Sequence, residues 1–196
     1  MKGNKKIVVF ASGSGTNFIN IFDKTKEKLI NGKVVLLISN NLNCGAVNFA
    51  KKNKINIEIV NLFRYKTQKN IDNRYEMLLD SYKADLILLA GFMKKIPSNI
   101  TSKYKNRIMN IHPSLLPKFG GQGFYGLNVH KAVLNANEKI TGVTIHFVNE
   151  EYDEGSIICQ KKISVLENDT IQSLSQRVLC LEHKLYFEVV KDYCND

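Results

Sequence analysis

The chain has 196 residues, with 28 Lys and Arg against 18 Asp and Glu, a net charge of +10, and 44% hydrophobic residues. This length suits a sizeable core, and we expect a single domain over residues 1–196. No segment reaches the ~18 apolar residues of a membrane span or resembles a signal peptide, so we predict a cytoplasmic protein without a membrane partner. The lysines are spread along the chain without an aromatic-basic repeat, which argues against nucleic acid as the partner.

The cysteines are widely spaced, with no CxxC pair and no neighbouring histidine at ligand spacing. This pattern argues against a disulfide framework or a zinc site, and we predict that the protein uses no metal. The four are Cys44, Cys159, Cys180 and Cys194.

Strands and helices alternate in the first half of the chain. Continuous apolar runs predict strands buried on both faces, and a fourth run, at 57–60, alternates more and is expected near an edge. These strands cover residues 7–11, 34–38, 57–60 and 86–90, and helices are predicted over 17–29, 45–52 and 68–82. The order favours the α/β class, with a Rossmann-like open, mostly parallel sheet and helices on both faces.

The second half adds three strands and a long helix. The strands are predicted over 109–112, 142–148 and 157–164, the last antiparallel to its neighbour. The helix is expected to begin near Asp169 as its N-cap, with Gln172 three residues further on. Apolar residues at three- and four-residue steps predict that one face of this helix packs on the sheet.

A glycine loop with the sequence SGSGTN, residues 12–17, follows the first strand and opens a helix. Glycines permit tight turns, and the free N–H groups of a helix N-terminus favour an anion. Phe18 stands where a dinucleotide loop has its third glycine, and no GK[ST] follows. The loop therefore suits a single phosphate, although a lone GxG pair is more often an ordinary strand–helix turn.

The segment NIHPSLLP, residues 110–117, places an amide and an imidazole two residues apart at the end of a strand. Residues i and i+2 share a strand face, so Asn110 and His112 are expected to aim at one point. Pro113 and Pro117 stiffen the exit. An amide donor beside a titratable ring suits a carbonyl that becomes an oxyanion, and the alternative is a hydrogen-bonded strand end with a rigid turn.

The acidic loop 149–155 contains Asp153 and joins two late strands. Such a loop is usually solvated, but if the sheet brings Asp153 to His112, its carboxylate would orient and charge the imidazole. His146 lies on the polar face of its strand and is expected to support the site by hydrogen bonds from behind. His130 and His183 are expected to be structural or peripheral.

Together with LAGFM at 89–93 and HFV at 146–148, these motifs resemble the phosphoribosylglycinamide formyltransferases, a folate-dependent family of purine synthesis. The resemblance runs in order from about Lys6 to Tyr186. NIHPSLLP is typical of the folate formyltransferases in general, and SGSGTN narrows the resemblance to the ribonucleotide branch. It implies the formyltransferase fold and two small-molecule substrates, glycinamide ribonucleotide and the co-substrate 10-formyltetrahydrofolate.

The resemblance also implies a mechanism without a metal or a covalent intermediate. The substrate amine would attack the formyl carbon, and Asn110 and His112 would donate hydrogen bonds to the resulting oxyanion. Asp153 would raise the pKa of His112, hold its ring and help to move the proton from the amine to the leaving nitrogen.

By the same resemblance, the phosphate would lie at the glycine loop, the ribose beside a glutamate of the last helix, and the pterin on the opposite side. The implied ribonucleotide residues are Gly13, Ser14, Gly15, Thr16, Asn17, Gly91, Met93 and Glu182. The implied folate residues are Met93, Lys94, Ile96, Asn110, Val148 and Asp153.

Some features depart from the family pattern or stay open. Lys94 and Lys95 stand where the family commonly has an arginine and an apolar residue, so pterin contacts at Lys95 are in doubt. The glycine-rich segment 119–126 is longer than usual, and we expect a mobile lid in preference to a variant turn. The second basic phosphate ligand is open among Arg64, Lys69 and Arg74, and the protein is expected to be a monomer or a homodimer.

Four other functions agree less well with these residues. Methionyl-tRNA formyltransferases and formyltetrahydrofolate deformylases carry further domains that we do not expect here, and sugar-nucleotide formyltransferases would not explain SGSGTN. A non-catalytic binding protein would have no chemical need for Asn110, His112 and Asp153 together.

Overall fold

The computed structural model describes residues 4–195, which form one seven-stranded sheet. The strands lie side by side in the order β3-β2-β1-β4-β5-β6-β7. The first five of these are parallel, whereas β6 runs antiparallel to β5 and β7 antiparallel to β6. The strands are β1 (Lys5–Phe10), β2 (Gly32–Ser39), β3 (Asn56–Ile59), β4 (Leu86–Leu89), β5 (Ile108–His112), β6 (Ile140–Phe147) and β7 (Ile157–Ser164).

Seven helices connect or flank the strands within residues 4–195, and none of them is long and apolar enough to cross a membrane. The bounds predicted for α2 and β7 are those observed, while three short helices, α3, α5 and α6, were not predicted. The helices are α1 (Thr16–Lys26), α2 (Gly45–Lys52), α3 (Leu62–Tyr65), α4 (Gln68–Ser81), α5 (Ser98–Lys103), α6 (Leu127–Asn135) and α7 (Ile171–Asn195).

Helices cover both faces of the sheet, which confirms the predicted fold class. Ile7 and Val9 of β1 point into a core that α1, α2, α6 and α7 complete. Val8 and Phe10 point into a second core, completed by α4 and α5. Burial of such a side chain contributes about 1.5–3 kcal/mol, so a strand between two helical layers is apolar at every position. The more alternating β3 lies at the sheet edge, as predicted.

The N-terminus of α7 is capped one residue later than predicted. Thr170 and Ser173 form a reciprocal capping box, because each backbone N–H donates to the other's hydroxyl, at 2.9 and 3.1 Å. The Asp169 carboxylate instead accepts from the Leu166 N–H and from Arg177. The prediction of an Asp169 cap with Gln172 was therefore wrong, because Leu166 and the side chains of Ser173 and Arg177 engage the Asp169 carboxylate, while the Thr170 hydroxyl accepts the backbone N–H of the first turn.

The strand order creates a crevice beside β1. After β1 the chain continues to β2 and β3 on one side of that strand, whereas β4 and β5 lie on its other side. The connections that follow β1 and β4 therefore run in opposite directions from the carboxyl ends of these two neighbouring strands. Open α/β sheets bind their ligands at such a switch point. The hydroxyl of the buried Tyr186 of α7 shares its proton between the carbonyl oxygens of Leu89, at the end of β4, and Met109, near the start of β5, and thereby ties that helix to both strands.

Candidate active site

A cavity of about 600 Å³ opens at this edge of the sheet. The segments after β1, β4 and β5 line it together with parts of α6, α7 and the loop between β6 and β7. Every residue named above for the catalytic, ribonucleotide and folate sets lines this cavity, and so does His146. The structure thus brings together residues that are up to 169 positions apart, from Gly13 to Glu182.

Asp153 holds Asn110 and His112 through different oxygens. The amide nitrogen of Asn110 donates to Oδ1 at 3.2 Å, and Nδ1 of His112 lies 3.5 Å from Oδ2. Asn110 and His112 share one face of β5, as the i, i+2 spacing predicts. Asp153 reaches them from a left-handed backbone conformation with φ of 59°, which turns its loop back over the strand.

The hydrogen-bond partners identify one donating nitrogen in each of two histidines. Nδ1 of His146 faces the Phe147 carbonyl at 2.8 Å and must donate to it, and Nε2 of the same ring lies 3.1 Å from the Asn110 amide nitrogen. Likewise, Nε2 of His112 donates to the Phe119 carbonyl at 2.8 Å. His146 therefore contacts Asn110 from behind, in the supporting place expected of it.

Burial and charge act in opposite directions on the two titratable groups. Burial alone would raise the pKa of Asp153, but contacts with His146 and His112 and a backbone hydrogen bond outweigh it and hold that pKa below its usual value. Burial lowers the pKa of His112, and this effect exceeds the opposing influence of the Asp153 charge. Asp153 thus acts on His112 in the predicted direction, but desolvation of the ring dominates and the net pKa of His112 is lowered.

The glycine-rich segment 119–126 contacts both members of this pair. Besides the Phe119 carbonyl on His112, the Gly121 N–H donates to Oδ2 of Asp153 at 2.9 Å. Gly121, Gly123 and Gly126 all have positive φ, which explains the density of glycine here. The segment thus helps to hold the two titratable side chains, while the mobility expected of it stays a prediction.

The glycine loop 12–17 forms the start of α1. Gly15 is the N-cap with φ of 78°, and a Cβ at this position would lie 2.7 Å from that of Ala46. No side chain among residues 4–195 caps the helix, so its first N–H groups remain available to an anion in the cavity. A Cβ at Gly13, by contrast, would meet no atom within 4 Å.

Glu182 approaches this loop from α7. Its Oε2 accepts a 2.6 Å hydrogen bond from Nδ2 of Asn17, and burial raises the pKa of the carboxyl to about 7 despite that bond. The Oδ1 of Asn17 is buried without a partner among the described residues. The two side chains therefore join the start of α1 to α7 at the floor of the cavity.

Among residues 4–195, the lysine and arginine side chains that line the cavity are those of Lys94 and Lys95. Lys95 also lies 3.6 Å from Glu151 and 5.8 Å from the centre of the Tyr152 ring. Arg64, Lys69 and Arg74 do not line it, and Arg74 pairs with Glu58 at 2.8 Å. The choice of a second phosphate ligand among these three stays a prediction.

Several residues that line the cavity were not predicted as site residues, among them Ser175, Leu179 and His130. Ser175 and Leu179 share a helix face with Glu182, and their spacing of seven and three residues from it could have identified them. His130, on the unpredicted α6, also lines the cavity and is 4% exposed, so of the two positions expected for it, structural or peripheral, the peripheral one was wrong.

An open α/β sheet with an amide, an imidazole and a carboxylate at its switch point is typical of an enzyme that acts on a small molecule. Comparison with known proteins identifies the family. The formyl transferase family profile matches residues 5–190. The chain therefore belongs to the formyl transferase family, as the resemblance of its motifs indicated.

Several relatives within this family are named as one particular enzyme. The chain is 44% identical over 193 residues to the chloroplastic phosphoribosylglycinamide formyltransferase of Arabidopsis thaliana, covering 98% of this chain and 66% of that protein, slightly less than two thirds. It is 36% identical to the phosphoribosylglycinamide formyltransferase of Haemophilus influenzae, covering 95% of this chain and 86% of that protein. It also superposes on glycinamide ribonucleotide transformylase 1 of Symbiobacterium toebii with a TM-score of 0.91 and 34% identity, over 100% of this chain and 90% of that one.

Proposed function

We propose that this chain transfers the formyl group of 10-formyltetrahydrofolate to the amine of glycinamide ribonucleotide, a step of de novo purine synthesis. The observation that carries the proposal is that Asn110 and His112 each lie within 3.5 Å of the Asp153 carboxylate, in the same cavity as an uncapped helix N-terminus. The relatives named above support the choice of substrates.

The formyl carbon would be attacked directly by the substrate amine. A new C–N bond forms while the carbonyl becomes an oxyanion, and the bond to the folate nitrogen then breaks. The amide of Asn110, which is half-buried at the cavity wall, would donate to this oxyanion by exchanging its hydrogen bond to Asp153 for it. The Nε2–H of His112 would likewise exchange the Phe119 carbonyl for the stronger charged acceptor. One such donor is typically worth about 10²–10³ in turnover.

The attacking amine must lose one proton and the leaving nitrogen must gain one. Asp153 is suited to receive a proton because its lowered pKa keeps it ionised near neutral pH. His112, which stays largely neutral because burial lowers its pKa, would pass the proton on directly or through a water molecule. General acid–base assistance of this kind contributes roughly 10²–10⁴ in rate.

The two substrates would occupy opposite parts of the cavity. The phosphate would bind the N–H groups at the start of α1, and the ribose would lie near Glu182. The folate would contact the residues after β4, including Met93, Lys94 and Ile96, and Val148 at the end of β6. The cytoplasmic location, the lack of a nucleic-acid partner and the oligomeric state stay predictions.

The proposal is tested by omitting each substrate in turn. The purified chain is mixed with both substrates, and the absorbance change of the folate is followed. Turnover is expected only when both are present, with stoichiometric formylation of the ribonucleotide. Folate deformylation at the same rate without the ribonucleotide would instead identify a hydrolase, and no reaction from folded protein would reject the proposed pair of substrates.

A further inference from the structure

His130 is a buried ring of the cavity wall that the mechanism above does not use. It lies on α6, and its Nδ1 is sealed from solvent without a hydrogen-bond partner among the described residues. Because the residue nevertheless lines the cavity, the ring edge that faces the cavity is the one that carries Nε2.

The ring is neutral at physiological pH, which fixes what it offers. Burial, and secondarily the neighbouring His112, lower the pKa of His130 to about 4. A neutral imidazole carries one N–H. A proton on Nδ1 would leave a buried donor unpaired, whereas a proton on Nε2 faces the cavity and can be satisfied by a ligand. The ring therefore presents an uncharged donor to whatever fills the cavity.

The position of α6 indicates which ligand group receives this donor. The helix follows the segment 119–126, packs against α7, and places His130 near enough to His112 for the charge of His112 to lower the pKa of His130. His130 thus lies close to the reacting centre, on a helix that packs against the helix carrying Glu182. In glycinamide ribonucleotide, the group between the ribose and the reacting amine is an amide, whose carbonyl oxygen accepts hydrogen bonds.

We propose that Nε2–H of His130 donates a hydrogen bond to the amide carbonyl oxygen of the ribonucleotide and so directs its amine toward the formyl carbon. This inference rests on the proposed function. It makes His130 a specificity-determining residue that recognises the glycinamide arm, while the phosphate, the ribose and the folate are bound by other residues. His130 transfers no proton in this role.

Two variants separate this hydrogen bond from a structural role. His130→Leu removes both nitrogens, including the unpaired buried one, so its melting temperature is expected to equal or exceed that of the wild type. His130→Gln keeps an N–H donor at about the distance of Nε2. His130→Leu is expected to raise the ribonucleotide KM roughly 3- to 10-fold and to leave the folate KM at its wild-type value. The ribonucleotide KM of His130→Gln is expected to lie close to that of the wild type.

A truncated ligand identifies the group that His130 contacts. Ribose 5-phosphate lacks the glycinamide arm, so its inhibition constant is expected to be the same for the wild type and His130→Leu. An unchanged ribonucleotide KM in His130→Leu, or an equal loss of ribose 5-phosphate binding, would overturn the inference. Both of these outcomes are measured on a wild type that turns over its substrates. If the proposed function fails, the wild type itself does not react, so the two failures are distinguishable.

Discussion

Nδ2 of Asn110 donates to Oδ1 of Asp153 at 3.2 Å, a contact that spans 43 residues of sequence. The second oxygen of the same carboxylate lies 3.5 Å from Nδ1 of His112 and accepts from the Gly121 N–H at 2.9 Å. One carboxylate therefore contacts both the amide and the imidazole before any ligand binds. The two donors would reach the oxyanion by exchanging one hydrogen bond each, Asn110 with Asp153 and His112 with Phe119.

Replacing Asn110 by alanine is expected to reduce kcat about 10²–10³-fold, because the oxyanion loses its amide donor. Steady-state kinetics with both substrates measure the loss. The folate dissociation constant serves as the control and is expected to change far less than kcat. A variant with undiminished kcat would remove Asn110 from the mechanism.

Asp153→Asn keeps the shape of the side chain but removes its charge. We expect kcat to fall roughly 10²–10⁴-fold, because the proton acceptor is lost. Since the Asp153 charge raises the pKa of His112 against the larger effect of burial, the acid limb of the pH profile is expected to move to lower pH in the variant. The profile of kcat/KM between pH 4.5 and 8 measures both effects, and an unmoved limb would mean that another group controls it.

Two glycines of the segment 119–126 provide a matched pair. Gly121 and Gly123 have φ of 89° and 92°, and a Cβ at either position would meet no atom within 4 Å. Alanine at either position therefore introduces similar backbone strain, but the N–H of Gly121 is the one that donates to Asp153. Gly121→Ala is expected to lower kcat several-fold more than Gly123→Ala, and equal effects on kcat would argue that the segment does not position Asp153.

A second glycine pair tests the phosphate site. Gly13→Ala places its methyl group in open space, so the melting temperature is expected to be retained while the ribonucleotide KM rises and the folate KM does not. Gly15→Ala combines a positive φ with a Cβ only 2.7 Å from that of Ala46, so its main effect is expected to be a lower melting temperature. Equal increases of both KM values in Gly13→Ala would contradict the placement of the phosphate.

Glu182 should make the stability of the protein dependent on pH. Its pKa is about 7 in the folded state against an ordinary value of 4.5, so the folded state binds the proton more tightly. The stabilising contribution is complete below about pH 4.5 and is lost as the pH rises through 7, an expected change of about 3 kcal/mol. Urea unfolding at pH 5 and pH 8 measures it, and the neutral variant Glu182→Gln is expected to lack this part of the pH dependence.

Much of the fold could be predicted because its signals are local. The apolar run in β1 follows from burial on both faces, and the alternation in β3 follows from its place at the sheet edge. The short helices α3 and α5 escaped prediction because four and six residues carry too little periodicity. The cap of α7 was misplaced because Thr170 and Asp169 are both good cap residues, and tertiary contacts decide between them.

Part of the candidate site could likewise be predicted from local patterns, and part of it could not. The shared direction of Asn110 and His112 follows from strand geometry, whereas the contact of Asp153 with both depends on a loop conformation that no local pattern specifies. The lowered pKa of His112 and the place of His130 depend on burial, which is a property of the folded chain. The direction of the His112 pKa shift and the position of His130 in the cavity wall therefore could not be predicted from the neighbouring sequence alone.

Transfer of a labelled formyl group tests the central claim most directly. Folate carrying a ¹³C-formyl group is mixed with glycinamide ribonucleotide and the wild-type chain, and the carbon is followed by NMR spectroscopy. The expected result is a single new formamide signal on the ribonucleotide, formed at least 10²-fold more slowly by Asn110→Ala. Label that appears as free formate, or a formamide signal formed equally fast by the variant, would contradict the account.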